Sequence, residues 1–191
     1  MASISLKYKS KQGNLTAPGD VDLGAMIPIA TVTVGAGGTT GITFSSIPST
    51  YEHLQIRGIL KTGTETTGPG FYFNNVSSGT SYAYHNLIGS GSSVTASGAS
   101  SQSYDSTMML ESATANTFTA FIIDILDYAN TNKYKTVRAL TGLDKNGSGE
   151  LRFHSSLYQS TDVINRIDFY DGYTFSQYSS FALYGIKRAG A

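Results

Sequence analysis

The chain has 191 residues, a length that suits one domain with its own core. Its 13 basic and 13 acidic residues balance, which argues against a protein that binds nucleic acid through its whole surface. The absence of cysteine from the sequence excludes disulfides and thiolate metal sites, and the apolar runs are too short to span a bilayer. Gly, Tyr, Ser and Thr are abundant, and β-branched and aromatic residues are interrupted by Gly, Ser and Asn. This composition predicts an all-β fold.

The N-terminal 24 residues differ from the rest, because apolar residues alternate there with polar residues that carry positive charge. The apolar side is Ile4, Leu6 and Tyr8, and the basic side is Lys7, Lys9 and Lys11. Residues 13–20 follow with turn and linker chemistry. We interpret residues 1–24 as an extended arm that adds a strand to a neighbouring subunit, with an edge strand of the domain itself or a frayed tail as alternatives. Three lysines bind phosphate weakly, so no nucleic-acid partner is expected.

Strand patterns recur at short intervals from Met26 onward. In the first half they cover residues 27–34, 42–44, 51–61, 71–75 and 82–88. Within 51–61, the alternation places Leu54, Ile56 and Leu60 on one face. Residues 89–103 are small and polar, which predicts a long flexible loop with room for a short strand around Val94.

The second half continues the pattern through residues 107–111, 117–126, 134–140, 151–157, 163–170 and 181–186. Residues 117–126 are the most apolar, so we expect a central strand with both faces mostly buried. Asn146 and Gly147 are typical of a hairpin turn. Leu151 and Phe153 then share one face, and His154 lies on the other. No helical face is evident, and about ten to twelve strands predict an antiparallel sandwich over residues 25–191.

Candidate catalytic residues each have a plainer explanation. His53, His85 and His154 lie on separate predicted strands, follow no nucleophile motif and show no zinc spacing, so surface or internally paired histidines are expected. Asp124 and Asp127 resemble a hydrolytic carboxylate pair, but pairing of Asp124 with Arg138 or with a turn amide is the plainer explanation.

A calcium loop is the remaining metal-site hypothesis. Asp144, Asn146 and Ser148 offer oxygen atoms at alternate positions, but Ser155 stands where the closing Glu is required. A hairpin turn explains the same residues. We therefore predict a non-enzymatic protein with no catalytic residue, no cofactor and no metal site.

Four segments resemble structural proteins of tailed-phage virions, especially of phages that infect marine cyanobacteria. They are residues 14–20, 43–58, 124–133 and 178–187. Together they span nearly the whole chain, and the resemblance implies a jelly-roll-like sandwich without assigning a catalytic residue. The strand around Leu183 also resembles trimeric jelly rolls of the tumour-necrosis-factor type, which implies a homotrimer.

The resemblance and the arm lead to two function hypotheses. The first is a capsid decoration, or cement, protein made in the host bacterial cytoplasm and located in the virion, whose arm binds the major capsid protein. The second is a tail-fibre or receptor-binding module in which residues 89–103 and a Tyr-rich surface contact a glycan or protein of the host. A glycan-cleaving enzyme is a third, formal alternative. Membrane partners are not expected.

Overall fold

The computed structural model describes residues 25–63, 69–105 and 114–188. These ranges form two antiparallel sheets that pack as a sandwich, so the predicted all-β fold is confirmed. The proposed arm, residues 1–24, lies outside the described residues together with its six candidate binding residues, and so does the strand predicted for 107–111. The described residues contain no helix that is long and apolar enough to cross a membrane.

Eleven strands make up the described part of the chain. They are β1 Met26–Thr33, β2 Thr39–Phe44, β3 His53–Leu60, β4 Gly70–Phe73, β5 Tyr82–Gly89, β6 Val94–Gln102, β7 Thr119–Leu126, β8 Lys135–Asp144, β9 Gly149–Tyr158, β10 Ile167–Phe175 and β11 Ser180–Ile186. The large sheet has eight strands in the order β1-β11-β3-β7-β8-β9-β5-β6, and the small sheet has three in the order β2-β10-β4.

The strand pairing is nested in the manner of a jelly roll. The first strand pairs with the last, the second pairs with the tenth, and β3 lies between β11 and β7. The edge position of β1 suits Pro28, which has no backbone N–H to donate, and the register shifts between Pro28 and Ala30. The chain therefore enters the sandwich along an edge of the large sheet.

Alternating side chains fill the space between the two sheets with aliphatic and aromatic residues. On β3, Leu54, Ile56 and Leu60 are fully buried, which confirms the predicted face. The sheets contact each other through aromatic pairs such as Phe169 of β10 and Phe181 of β11, whose ring centroids are 5.0 Å apart. These pairs fix the small sheet over one side of the large one.

The central position of β7 is confirmed, but the prediction that both its faces are buried is wrong. Its inward residues Phe121, Ile123 and Ile125 are buried, whereas Ile122 on the outer face is 37% exposed. The reason is that the small sheet packs against only one face of the large sheet. The sequence of β7 therefore has the pattern of a strand buried on both faces, although every second side chain lies on the uncovered outer face.

The predicted long loop at 89–103 is also wrong. β6 pairs with β5 along most of this segment, and only residues 90–93 form the connecting turn, closed by a 3.0 Å bond from Ser90 N–H to the Ser93 carbonyl. The strand predicted around Val94 is thus longer than expected. Because β6 is an edge strand with mostly exposed side chains, its sequence carries almost no apolar alternation.

Candidate functional site

A cleft of about 620 Å³ opens at the end of the large sheet where β3 begins and where β7 and β11 end. It is lined by residues 50–52, 127, 129, 130, 187 and 188. The strand order β11-β3-β7 brings together residues 43–58, 124–133 and 178–187, three of the four segments on which the predicted resemblance rests.

Charged side chains at this cleft are paired with one another. Ligand-type atoms of Glu52, His53 and Asp127 lie within 4.8 Å of one another, an arrangement that offers three ligands to a metal ion. However, Lys133 already binds the Asp127 carboxylate, and Arg188 Nε lies 3.3 Å from Glu52 Oε1. The hydrogen bond from Lys133 is the main cause of the lowered pKa of Asp127.

His53 is engaged in the same network. The backbone N–H of Asp127 donates to His53 Nδ1 at 3.0 Å, which makes this nitrogen an acceptor and removes it from metal binding. A cation would have to displace both positive side chains and this backbone bond. The cluster is accordingly a self-neutralised set of ion pairs, and the donor set does not favour a metal.

Two tyrosines hold together the chain segments that form the cleft. Tyr128 is fully buried, its hydroxyl donates to the Pro48 carbonyl, and it accepts the backbone N–H of Tyr51 at 3.3 Å. The ring of Tyr51 packs directly onto Gly185, where an added Cβ would lie only 2.3 Å from ring carbons. Residues from all three resembling segments thus hold each other in place. These contacts stabilise the fold at this end of the large sheet.

A second polar cluster is buried in the large sheet, around His154 of β9. Its Nε2 lies 2.9 Å from Asp105 Oδ1 and 3.0 Å from Oδ2, and its Nδ1 contacts Asn86 Oδ1. The ring of Tyr84 stacks on the imidazole at a centroid distance of 5.5 Å. Since His154 and Asp105 are fully buried, His154 is an internally paired histidine, one of the two interpretations that the sequence allowed.

The remaining candidates from the sequence are dispersed. Asp124 lies on the outer face of β7, where it accepts a 2.7 Å bond from Gln55 Nε2 and stands opposite Arg138, whereas Asp127 lines the cleft. Their different partners do not favour a hydrolytic pair. His85 is exposed on β5, and the described residues bring no two histidines into one metal-ligand cluster.

The suspected calcium loop is a hairpin turn between β8 and β9. Lys145 N–H donates to the Ser148 carbonyl at 2.7 Å, and the positive φ angles of Asn146 and Gly147, 57° and 115°, are typical of a type I′ turn. The Asp144 carboxylate accepts the Asn146 backbone N–H at 2.7 Å. These oxygens are used by the turn itself.

The outer face of the large sheet carries exposed apolar side chains in two adjacent cross-strand rows. The first row aligns Ile122, Leu140, Phe153, Leu87 and Ala96, and the second aligns Ile59, Ala120, Gly142, Leu151, Gly89 and Val94. We call these two rows the apolar outer face. Phe153 is 53% exposed and Leu151 is 56% exposed. A contiguous exposed apolar surface marks an interaction site more often than isolated residues do.

No protein-family model and no curated protein matches this sequence. Among solved structures, the chain is similar to a protein of unknown function, SO2946, from Shewanella oneidensis MR-1. The two are 10% identical, the match covers 88% of this chain and 79% of that chain, and the TM-score is 0.23. This similarity carries no functional inference.

The apolar outer face was missed at the level of sequence for a clear reason. The alternation in 151–157 correctly separated Leu151 and Phe153 from His154. It carries no information on which face the small sheet covers, and the covered face is the one that holds His154, Ser156 and Tyr158. A signal was nevertheless present, since apolar residues on both faces of neighbouring strands indicate more apolar surface than one core needs.

Proposed function

We propose that this chain is a non-enzymatic structural protein of a bacteriophage particle. The observation that carries the proposal is the meeting of three segments with phage-virion resemblance at one end of the sandwich. A side chain of one segment contacts the backbone of another, as the Tyr128 hydroxyl does with the Pro48 carbonyl and the Tyr51 ring with Gly185. Contacts of this kind stabilise the fold, and we assign assembly to other parts of the chain, the apolar outer face and residues 1–24.

The role favoured within the particle is capsid decoration through the N-terminal arm. Residues 1–24 join the domain at β1, an edge strand of the large sheet, which suits a segment that reaches a neighbouring protein. Pairing of the arm with a strand of the major capsid protein would form backbone hydrogen bonds worth about 0.5–1.5 kcal/mol each. Apolar contacts of Ile4, Leu6 and Tyr8 and charge contacts of the arm lysines would add to them. A homotrimer, located in the virion, is part of this proposal.

Protein composition of purified particles tests the virion role. We expect the chain to co-purify with particles at a copy number comparable with that of the major capsid protein. A copy number comparable with that of tail proteins would favour the alternative role below. Absence of the chain from particles would refute both virion roles.

Deletion of residues 1–24 tests the function of the arm. The truncated chain should keep the circular dichroism spectrum of a β protein and lose binding to capsids. Leu6→Asp should weaken binding because it places a charge on the apolar side, whereas the matched change Ser5→Asp on the polar side should have a smaller effect. Normal capsid binding by the truncated chain would refute the proposed attachment.

A tail-fibre or receptor-binding role is the second candidate. One observation favours it. A cleft of about 570 Å³ lies between the β5–β6 turn and the β8–β9 turn, and it is lined by residues 89–91, 142–144 and 147–151. Its lining includes the side chains of Ser90, Asp144 and Ser148, polar groups that suit hydrogen bonding to a glycan hydroxyl. Specific adhesion of the purified chain to host cells, reduced by substitution at Asp144, would support this role over decoration.

A further inference from the structure

We propose that the apolar outer face of the large sheet binds a second copy of this chain. The inference goes beyond the proposed virion role and its homotrimer, because a face-to-face contact between identical sheets joins copies in pairs and not in threes. It rests on three properties of this face: its size, its distribution of large and small side chains, and the charges along its border.

The size of the face approaches that of an interface core. The second row crosses the six strands from β3 to β6, and the first row crosses five of them, because Arg57 occupies its position on β3. With strands about 4.8 Å apart and about 3.4 Å of rise per residue, the eleven positions cover about 360 Å². A stable interface takes about 800 Å² per partner, divided between an apolar core and a polar rim. The face therefore supplies about half of such an interface, the share expected of the core.

The face carries both protrusions and hollows, as a self-complementary surface requires. Phe153 and Leu140 protrude in the first row, while Gly142 and Gly89 leave hollows in the second. A Cβ added at Gly89 would meet nothing within 4 Å, so the space above it is open. When two identical surfaces contact each other, each surface must carry both the protruding side chains and the hollows that receive them. Two such sheets can pack face to face about 10 Å apart.

The border of the face favours a partner without strong charge. The next cross-strand row is polar and consists of Gln55, Asp124, Arg138, Ser155 and His85. Asp124 and Arg138 stand directly opposite each other, so their charges offset within one copy. Arg57 continues the first row on β3 and donates to Gln55 Oε1 at 2.6 Å, so this end of the face carries one positive charge. The whole chain has a formal net charge of zero, so two copies are not repelled by net charge. A nucleic acid would instead require a cluster of positive side chains.

Sedimentation or light scattering of the full chain over a range of concentrations tests the proposal. We expect reversible self-association, and we expect Phe153→Lys to weaken it at least about tenfold because the lysine would be buried in the interface. The matched control is Tyr170→Lys, since Tyr170 is 51% exposed and lies on β10 of the small sheet. Equal weakening by both changes, or a wild-type chain that stays monomeric, would overturn the proposal.

Cross-linking gives a second measurement that does not depend on a charged variant folding. The sequence contains no cysteine, so a single Phe153→Cys change places one thiol per chain on the face. A short thiol-reactive cross-linker should join two copies of this variant and leave Tyr170→Cys largely monomeric. Cross-linking at Tyr170→Cys alone would place the contact on the small sheet and refute the inference.

Deletion of residues 1–24 distinguishes other occupants of the face. Self-association by the truncated chain but not by the full chain would mean that the arm covers the face, which overturns the proposal. If both the full chain and the truncated chain stay monomeric, the face is not an interface between copies of this chain, and the proposal is overturned. All of these measurements use the purified chain without particles, so a failure of self-association and a failure of virion incorporation are separate results.

Discussion

Gly185→Ala should destabilise the sandwich through the ring of Tyr51. Gly185 lies in β11 between β1 and β3, and its backbone is paired on both sides. The new Cβ would lie 2.3 Å from two ring carbons, well inside the 3.0 Å that real Cβ atoms keep. Because the paired strand is held on both sides, the ring must move. Overpacking of this kind costs about 1–3 kcal/mol, and about 2 kcal/mol lowers the melting temperature of a chain this long by about 4–8 °C.

Urea unfolding, monitored by circular dichroism, measures the loss of stability in Gly185→Ala. Two further variants show whether the loss comes from the contact with Tyr51. Gly41→Ala is the matched control in a strand, because its Cβ would meet only the Phe169 carbonyl at an ordinary 3.5 Å, and the change should stay within about 0.5 kcal/mol. In a Tyr51→Ala background, Gly185→Ala should cost almost nothing, since the clash is gone. The same loss in both backgrounds would refute the assignment to Tyr51.

Three further substitutions probe the polar clusters. Lys135→Met should lower the free energy of unfolding in urea by about 2–3 kcal/mol, because the buried ammonium group donates to three backbone carbonyls; an unchanged midpoint would contradict this. The pKa of Asp127 is lowered from 3.8 chiefly by Lys133, so this carboxylate adds stability above pH 3.8 that is lost as the pH falls through the lower pKa of the folded state. Melting temperatures measured over acidic pH should therefore fall more steeply in the wild type than in Asp127→Asn, and parallel curves would argue against the linkage. His154→Phe should cost about 3–5 kcal/mol because it leaves Asp105 buried without its donor, and combination with Asp105→Leu should recover part of that loss in the same urea assay.

Strands with one buried face could be predicted from the sequence because their side chains have a strict period of two. Leu54, Ile56 and Leu60 of β3 were assigned to one face correctly for that reason. The edge strand β6 could not be predicted in the same way, because its stability comes from backbone pairing with β5 and its side chains are small. An alternation of apolar and polar residues appears only when one face of a strand is buried, so a strand with two exposed faces has no such alternation.

The cleft cluster was beyond prediction because distant segments form it. Asp124 and Asp127 looked like a pair in the sequence, but Asp127 follows the end of β7 with a positive φ of 49° and leaves the strand's direction. Its partner Lys133 is local to the same turn and could have been proposed. Its other neighbour, His53, comes from β3, and only the strand order places β3 beside β7.

The contacts that stabilise the sandwich and the face proposed for self-association occupy different parts of the chain. All seven large exposed residues of the apolar outer face lie outside the four resembling segments: Ile59, Leu87, Val94, Ile122, Leu140, Leu151 and Phe153. The resembling segments instead converge on β11, β3 and β7 and bind one another there. Substitutions at the two places should therefore act separately. Phe153→Lys should change self-association with little effect on unfolding, because an exposed side chain contributes little to the monomer. Gly185→Ala should change unfolding and leave the association constant of the folded chain intact, and a common effect of both substitutions on both properties would contradict the separation.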